Sequence, residues 1–192
     1  MAGQPGFRLQ LVDRDGIDDE RRESAGLLRD GKGSTWEGGM RVPGIAWWPG
    51  AIPAGRVEHT LACLMDLYPT CARLAGADLP ADRPLDGVDI APLLRGTGPV
   101  ARGAFFYYRG TQLYAVRQGD WKAHFITRDS YGPAPAMPHD PPLLFNLVQD
   151  PSERFDVAAQ HPDVLAAIRQ AVEQHRAGLQ PAPTQLEATR PK

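Results

Sequence analysis

The stretch Gly31-Lys32-Gly33-Ser34-Thr35-Trp36-Glu37-Gly38-Gly39 decides how the rest of the chain is read. Four glycines in nine residues let the backbone take conformations closed to other residues and approach a ligand closely. Lys32 adds a compact cation with rotatable N–H donors, suited to an anionic oxygen. The run opens into Met40-Arg41-Val42-Pro43 and an apolar segment, so it leads toward the body of a sheet. It reads as an anion site on a glycine-rich turn.

Outward from this turn, composition narrows the partners. The formal net charge of −2 leaves no basic footprint, which argues against nucleic acid. With 192 residues the chain can bury a core as one domain or a domain plus a subdomain. Its 20 glycines and 19 prolines favour short elements and many loops. The first residues lack the pattern of a secretory signal and no apolar run approaches a membrane span, so a soluble protein without a membrane partner is expected. Cys63 and Cys71 have no zinc-like company and, on one continuous helix, stand too far apart for a disulfide. Both read as inert, buried thiols, which leaves the compartment open.

Residues 1–23 carry a dense mixture of charges and read as a poorly ordered lead-in with at most one short strand. Val42 to Trp48 reads as a buried strand ended by Pro49-Gly50. Asp66 is placed to cap a helix with Pro69 in its first turn, an apolar face at Leu67, Cys71, Leu74 and Ala75, and Gly76 as its stop. Leu85-Asp86-Gly87 reads as a turn and Ile90 to Leu94 as a short helix. Four aromatic and branched runs follow, 104–109, 112–117, 121–127 and 143–148, and predict an antiparallel meander. Ser130 to Pro142 reads as a proline-rich loop. A last helix begins near Pro162, turns Val164, Leu165, Ile168 and Val172 to one side, and closes at Gly178. Residues 179–192 read as a disordered tail. No internal repeat is present.

Gly26 to Lys32 satisfies G-x-x-x-x-G-K, but Gly33 stands where a phosphate loop needs Ser or Thr. The buried strand before it and the helix after it are also missing, so that reading fails. A different resemblance covers residues 24 to 177. Ser24-Ala-Gly-Leu-Leu-Arg29, the lysine turn with Met40-Arg-Val-Pro43, and Ile45-Ala-Trp-Trp-Pro-Gly50 together resemble the C-terminal half of a type I sulfatase, in the arylsulfatase family of the alkaline-phosphatase-like superfamily. Asp66-Leu-Tyr-Pro-Thr70, Leu85-Asp-Gly87, Arg117-Gln-Gly-Asp-Trp-Lys122, Leu144-Phe-Asn-Leu147 and Asp150-Pro-Ser-Glu153 continue the resemblance in order.

The resemblance implies an α/β fold. Residues 24–100 would be the C-terminal part of the sulfatase large domain, and 101–178 an antiparallel four-stranded subdomain packed on a C-terminal helix. It implies sulfate ester hydrolysis by a formylglycine made from a C/S-x-P-x-R motif, with a calcium ion. It also places Lys32 on the family's sulfate-contacting lysine, where a cation stabilises charge developing on the leaving group by about 3–4 kcal/mol. The departures are equally specific. Cys63-Leu-Met-Asp-Leu and Cys71-Ala-Arg-Leu-Ala are not C-x-P-x-R, and Ser24, Ser34, Ser130 and Ser152 lack the following Pro and Arg. Asp18-Asp19 lies in a charged stretch, not at an apolar strand end. Asp13 is at most a relic metal ligand, with Arg14 beside it.

Lys32 is therefore carried over as the sulfate contact, with no metal ligand and no cofactor for the chain by itself. The expected protein is a C-terminal sulfatase fragment, inactive alone, with an exposed sheet edge that favours self-association. Two alternatives stand beside it: a non-catalytic anion-binding or interaction module, and a phosphate or phosphonate ester hydrolase of the same superfamily. Trp36, Trp47 and Trp48 read as packing, Glu37 as a hydrogen-bond partner of loop backbone, and Lys122 as a surface cation. His59, His124, His139, His161 and His175 are scattered, without ligand spacing.

Overall fold

The structure, a computed structural model, describes residues 8–11 as backbone, and residues 26–100, 102–130, 133 and 135–179 in full. Asp13, Asp18-Asp19, Ser24, most of the charged lead-in and the tail from residue 180 lie outside these. The chain divides into two compact units, Met1–Asp15 with Val42–Arg102, and Gly16–Arg41 with Gly103–Lys192, the latter holding the four-residue helix α1 (Glu37–Met40).

In the first unit β1 (Arg8–Leu11) pairs antiparallel with β2 (Gly44–Trp47), Arg8 opposite Trp47 and Leu11 opposite Gly44. The buried strand expected over 42–48 is thus shorter and largely exposed, with Ile45 at 58% and Trp47 at 51%. Its apolar content suits a covered strand, yet among the described residues β1 is its one ladder neighbour. A 3-10 turn, Leu64–Asp66, runs into helix α2 (Leu67–Leu74), whose buried residues are Pro69 and Thr70. Cys71, expected inside, is exposed and Cys63 is half-buried. The reason lies in polar pairing, which turns Thr70 inward. Its hydroxyl donates to the Asp66 carbonyl at 2.6 Å and accepts the Ile90 N–H at 2.9 Å.

Asp66 stands ahead of the helix, but its carboxylate does not cap it. Oδ2 accepts the Cys63 N–H at 2.7 Å, while Oδ1 accepts the Val88 N–H at 2.9 Å and pairs with Arg102. This buried carboxylate ties the start of α2 to the turn at Gly87. That glycine lies so close to the Met65 carbonyl that no Cβ fits there. Gly76, at φ +71°, ends the segment, and a five-residue helix, α3 (Ala91–Arg95), follows.

The second unit holds the expected meander. Strands β3 (Phe105–Arg109), β4 (Gln112–Gln118), β5 (Trp121–Thr127) and β6 (Met137–Asn146) form one antiparallel sheet in chain order. β6 starts inside the stretch expected as a loop. It is an edge strand, where a missing proline N–H can face away from the ladder, so Pro138, Pro141 and Pro142 are tolerated. Helix α4 (Pro162–Gly178) lays Leu165, Ile168 and Val172 on Leu113, Val116, Ala123 and Leu144 of the sheet. Because side chains alternate along a strand, Lys122 and His124 leave β5 on the side opposite Ala123. On that side Trp36, from the lysine turn, packs with Phe145 and Leu147.

Candidate functional site

Glycine is required where the turn closes on itself. The Gly38 N–H donates to the Arg29 carbonyl at 2.8 Å, so a Cβ at Gly38 would collide with the Asp30 and Arg29 carbonyls. A Cβ at Gly39 would meet the Gly31 carbonyl, and would stand 2.6 Å from both the Ser34 carbonyl and its hydroxyl oxygen. The Ser34 hydroxyl and N–H both donate to the Gly31 carbonyl, at 3.0 and 3.2 Å. Ser34, Thr35, Trp36 and Glu37 are buried, whereas Lys32 and Gly33 are exposed. The buried half anchors the loop and the exposed half presents Lys32.

Three further hydrogen bonds brace this turn from the sheet's side. Asp30, at φ +60°, accepts the Ser130 N–H at 3.0 Å and the Ser130 hydroxyl at 2.6 Å. Arg109, the last residue of β3, donates from Nη1 to the Gly33 carbonyl at 3.0 Å.

Beneath the turn lies a buried ionic cluster. Lys122 Nζ, fully buried, donates to Glu37 Oε1 at 2.8 Å and stands 3.2 Å from Glu153 Oε1. Glu153 Oε2 accepts the Glu37 backbone N–H at 2.6 Å, and Oε1 lies 2.7 Å from His124 Nε2. An ionised carboxylate only accepts, so the imidazole proton sits on Nε2. Arg117 lies 3.6 Å from Glu37 Oε2, and the Lys122 ammonium stands 4.9 Å from the Tyr107 ring centroid. Arg29 stacks on Trp36 at 3.6 Å and donates to the Glu153 carbonyl at 2.9 Å. Glu153 itself holds φ +50°, a conformation that L-residues with a Cβ rarely take. Its carboxylate there links the turn to β5.

Burial pushes the Glu153 carboxyl up, but His124 and Lys122 together outweigh it and hold it below the usual glutamate range. Burial holds His124 below the usual histidine value, against the pull of Glu153, so the ring is neutral at pH 7. Its Nδ1 has no hydrogen-bond partner among the described residues. Burial, with Glu37 nearby, pushes the Tyr107 hydroxyl far up, which keeps it protonated.

Several sequence readings change here. Lys122 is no surface cation, because Glu37 and Glu153 draw it fully inside. Glu37 does not serve loop backbone through its side chain, which instead meets Lys122 and Arg117. Of the three tryptophans read as packing, Trp36 is 2% exposed while Trp47 is half in solvent. His124 and Glu153 belong to the core of this site, although nothing in their local sequence marks them as partners. Cys63 is not a candidate nucleophile, since burial and the Asp66 charge raise its thiol above the usual value. Among the described residues no group of three or more His, Cys, Asp or Glu stands together to hold a metal ion. No described helix is long and apolar enough to cross a membrane.

Comparisons with known proteins converge. The family model for sulfatases matches residues 17–77, and the model for the C-terminal region of aryl-sulfatase matches residues 100–192. Steryl-sulfatase of Mus musculus is 44% identical over 188 residues, covering 85% of this chain and 30% of that protein. Arylsulfatase A of Homo sapiens is 45% identical over 168 residues, 76% of this chain and 32% of that protein. N-acetylgalactosamine-6-sulfatase of Canis lupus familiaris is 42% identical over 186 residues, 85% of this chain and 35% of that protein. Among solved structures, the PsFucS1 sulfatase from Pseudoalteromonas sp. superposes with a TM-score of 0.69 at 33% identity, over 78% of this chain and 32% of that one. The chain thus spans about a third of the length of the curated relatives it matches. With the turn, the meander and the closing helix in place, the chain belongs to the sulfatase family and corresponds to its C-terminal region.

Proposed function

We propose that this chain carries the sulfate-contacting lysine of a sulfatase site without the nucleophile, and so binds a sulfate ester but does not hydrolyse one by itself. The observation that carries this reading is the presentation of Lys32. It is exposed on a turn whose buried half is held by the Glu37–Lys122–Glu153 cluster. A cation held in this way can meet the peripheral and bridging oxygens of a sulfate ester, and does little reorganising as charge develops there. Hydrolysis also needs an attacking group, and neither cysteine sequence nor any serine in this chain has the C/S-x-P-x-R context. That is why binding and turnover separate.

The test has two arms. Incubated with p-nitrophenyl sulfate, with or without calcium, the chain is expected to release no nitrophenol. Reproducible hydrolysis that disappears in Lys32→Ala would overturn the reading. Titrated with inorganic sulfate, wild type is expected to bind more tightly than Lys32→Ala. Equal binding by both would remove Lys32 from the site.

A further inference from the structure

We infer that Ser130 is a positioning residue for the turn that presents Lys32, so that the loop leaving β5 sets how tightly the turn binds an anion. The inference rests on the assignment of Lys32 above and names a group that holds it in place. Lys32 lies between Asp30 and Gly33, and Ser130 meets both. Its N–H and hydroxyl donate to the two carboxylate oxygens of Asp30, at 3.0 and 2.6 Å. Its carbonyl oxygen lies 3.2 Å from where a Cβ on Gly33 would stand, so that glycine, at φ +98°, closes directly on the loop. A residue 100 positions along the chain from Asp30 thus grips the turn on both sides of the lysine.

Backbone geometry makes this grip informative. Asp30 holds φ +60°, a left-handed conformation that a residue with a Cβ keeps where its surroundings fix it. The two bonds from Ser130 supply that fixing, and the chain then turns into Gly31 and Lys32. In the meander β3 and β5 run in the same direction, so Arg109, the last residue of β3, and Ser130, three residues past β5, stand at one end of the sheet. From that end Arg109 holds the Gly33 carbonyl, while Ser34 holds the carbonyl of Gly31. The backbone on either side of Lys32 is therefore fixed, although Lys32 and Gly33 are exposed. A site ordered before it binds loses less affinity to ordering on binding. Ser130 carries no charge, so what it contributes to anion binding is geometry and not field.

The experiment titrates the full chain with inorganic sulfate and measures the heteronuclear NOE of the Lys32 backbone amide. Ser130→Ala removes the 2.6 Å bond without changing the charge of the turn. It is expected to lower the Lys32 NOE and to weaken sulfate binding about fivefold. Ser130→Thr keeps a hydroxyl and should restore both. Asp30→Gly accommodates φ +60°, removes both acceptors and should lower the NOE at least as far. Ile168→Ala loosens the core on the opposite face of the sheet and is expected to change neither reading in the folded chain. A Lys32 amide as ordered in Ser130→Ala and Asp30→Gly as in wild type overturns the inference. So does a loss of sulfate binding in Ile168→Ala equal to that in Ser130→Ala, which would make the role merely structural. The assignment of Lys32 fails separately. If Lys32→Ala binds sulfate as wild type does while Ser130→Ala still lowers the Lys32 NOE, the sulfate contact is wrong and the positioning stands.

Discussion

At the scale of single residues, the decisive group is Lys122. An ammonium taken fully out of water is tolerable only because two carboxylates surround it, at 2.8 and 3.2 Å. Lys122→Met leaves Glu37 and Glu153 buried without their cation, and is expected to cost about 3–5 kcal/mol in urea unfolding. An unchanged midpoint would show that the pair does not hold the fold. The same cluster sets a pH response. His124 is held below its ordinary value of 6.5, so the unfolded chain takes up its proton first on acidification. Stability from this group is fully present above pH 6.5 and falls as pH drops toward the lower folded value. Glu153, held below 4.5, adds a further loss in more acid solution. Urea midpoints measured from pH 7.5 to 5 should fall below 6.5 in wild type, and His124→Gln, which keeps a donor toward Glu153, should flatten that part. A wild-type midpoint that rises on acidification would contradict the neutral, buried ring. The exposed, glycine-framed position of Lys32 was legible in the sequence, whereas the burial of Lys122 was not. One lysine in a strand reads as solvated, and its partners Glu37 and Glu153 come from 85 residues before it and from beyond the next strand.

At the scale of elements, the best-read pieces carry their own punctuation. Helix α4 begins at Pro162, which loses nothing as an N-terminal residue, and its stripe of Leu165, Ile168 and Val172 repeats at helical spacing. The meander was legible because Gly110 and Gly119, at φ +57° and +58°, mark its first two turns. Ile168 sits at the centre of the helix contact and is 1% exposed. Ile168→Ala should therefore lower unfolding free energy by about 2–5 kcal/mol, and a loss below 1 kcal/mol by the same measurement would mean that the helix packs loosely. The elements read less well are those decided by a neighbour. β6 extends back to Met137 because β5 offers a ladder there, with Thr127 opposite Met137. Three prolines hide that pairing in the sequence. β2 fails the opposite way, since a run such as Gly44-Ile-Ala-Trp47 implies cover that no described neighbour provides.

At the scale of the whole molecule, that uncovered strand has a measurable consequence. Ile45 and Trp47 lie two residues apart and share one face of β2, both more than half exposed. The chain is expected to self-associate through this apolar face. Sedimentation should show oligomers in wild type and a shift toward monomer in Ile45→Lys/Trp47→Lys, while a clean wild-type monomer would rule out the association. The link between Glu37 and Glu153 bears on how such a chain is made. The Glu37 amide and the carboxylate that receives it are 116 residues apart. At a synthesis rate of roughly 5–20 residues per second, Glu37 leaves the ribosome several seconds to tens of seconds before its acceptor exists. During that interval the cluster beneath the turn is incomplete, and it cannot close until the whole meander, and Glu153 beyond it, has been made. A ribosome stalled before Glu153 would therefore expose a nascent chain whose anion-binding turn is already complete in sequence and not yet formed in space.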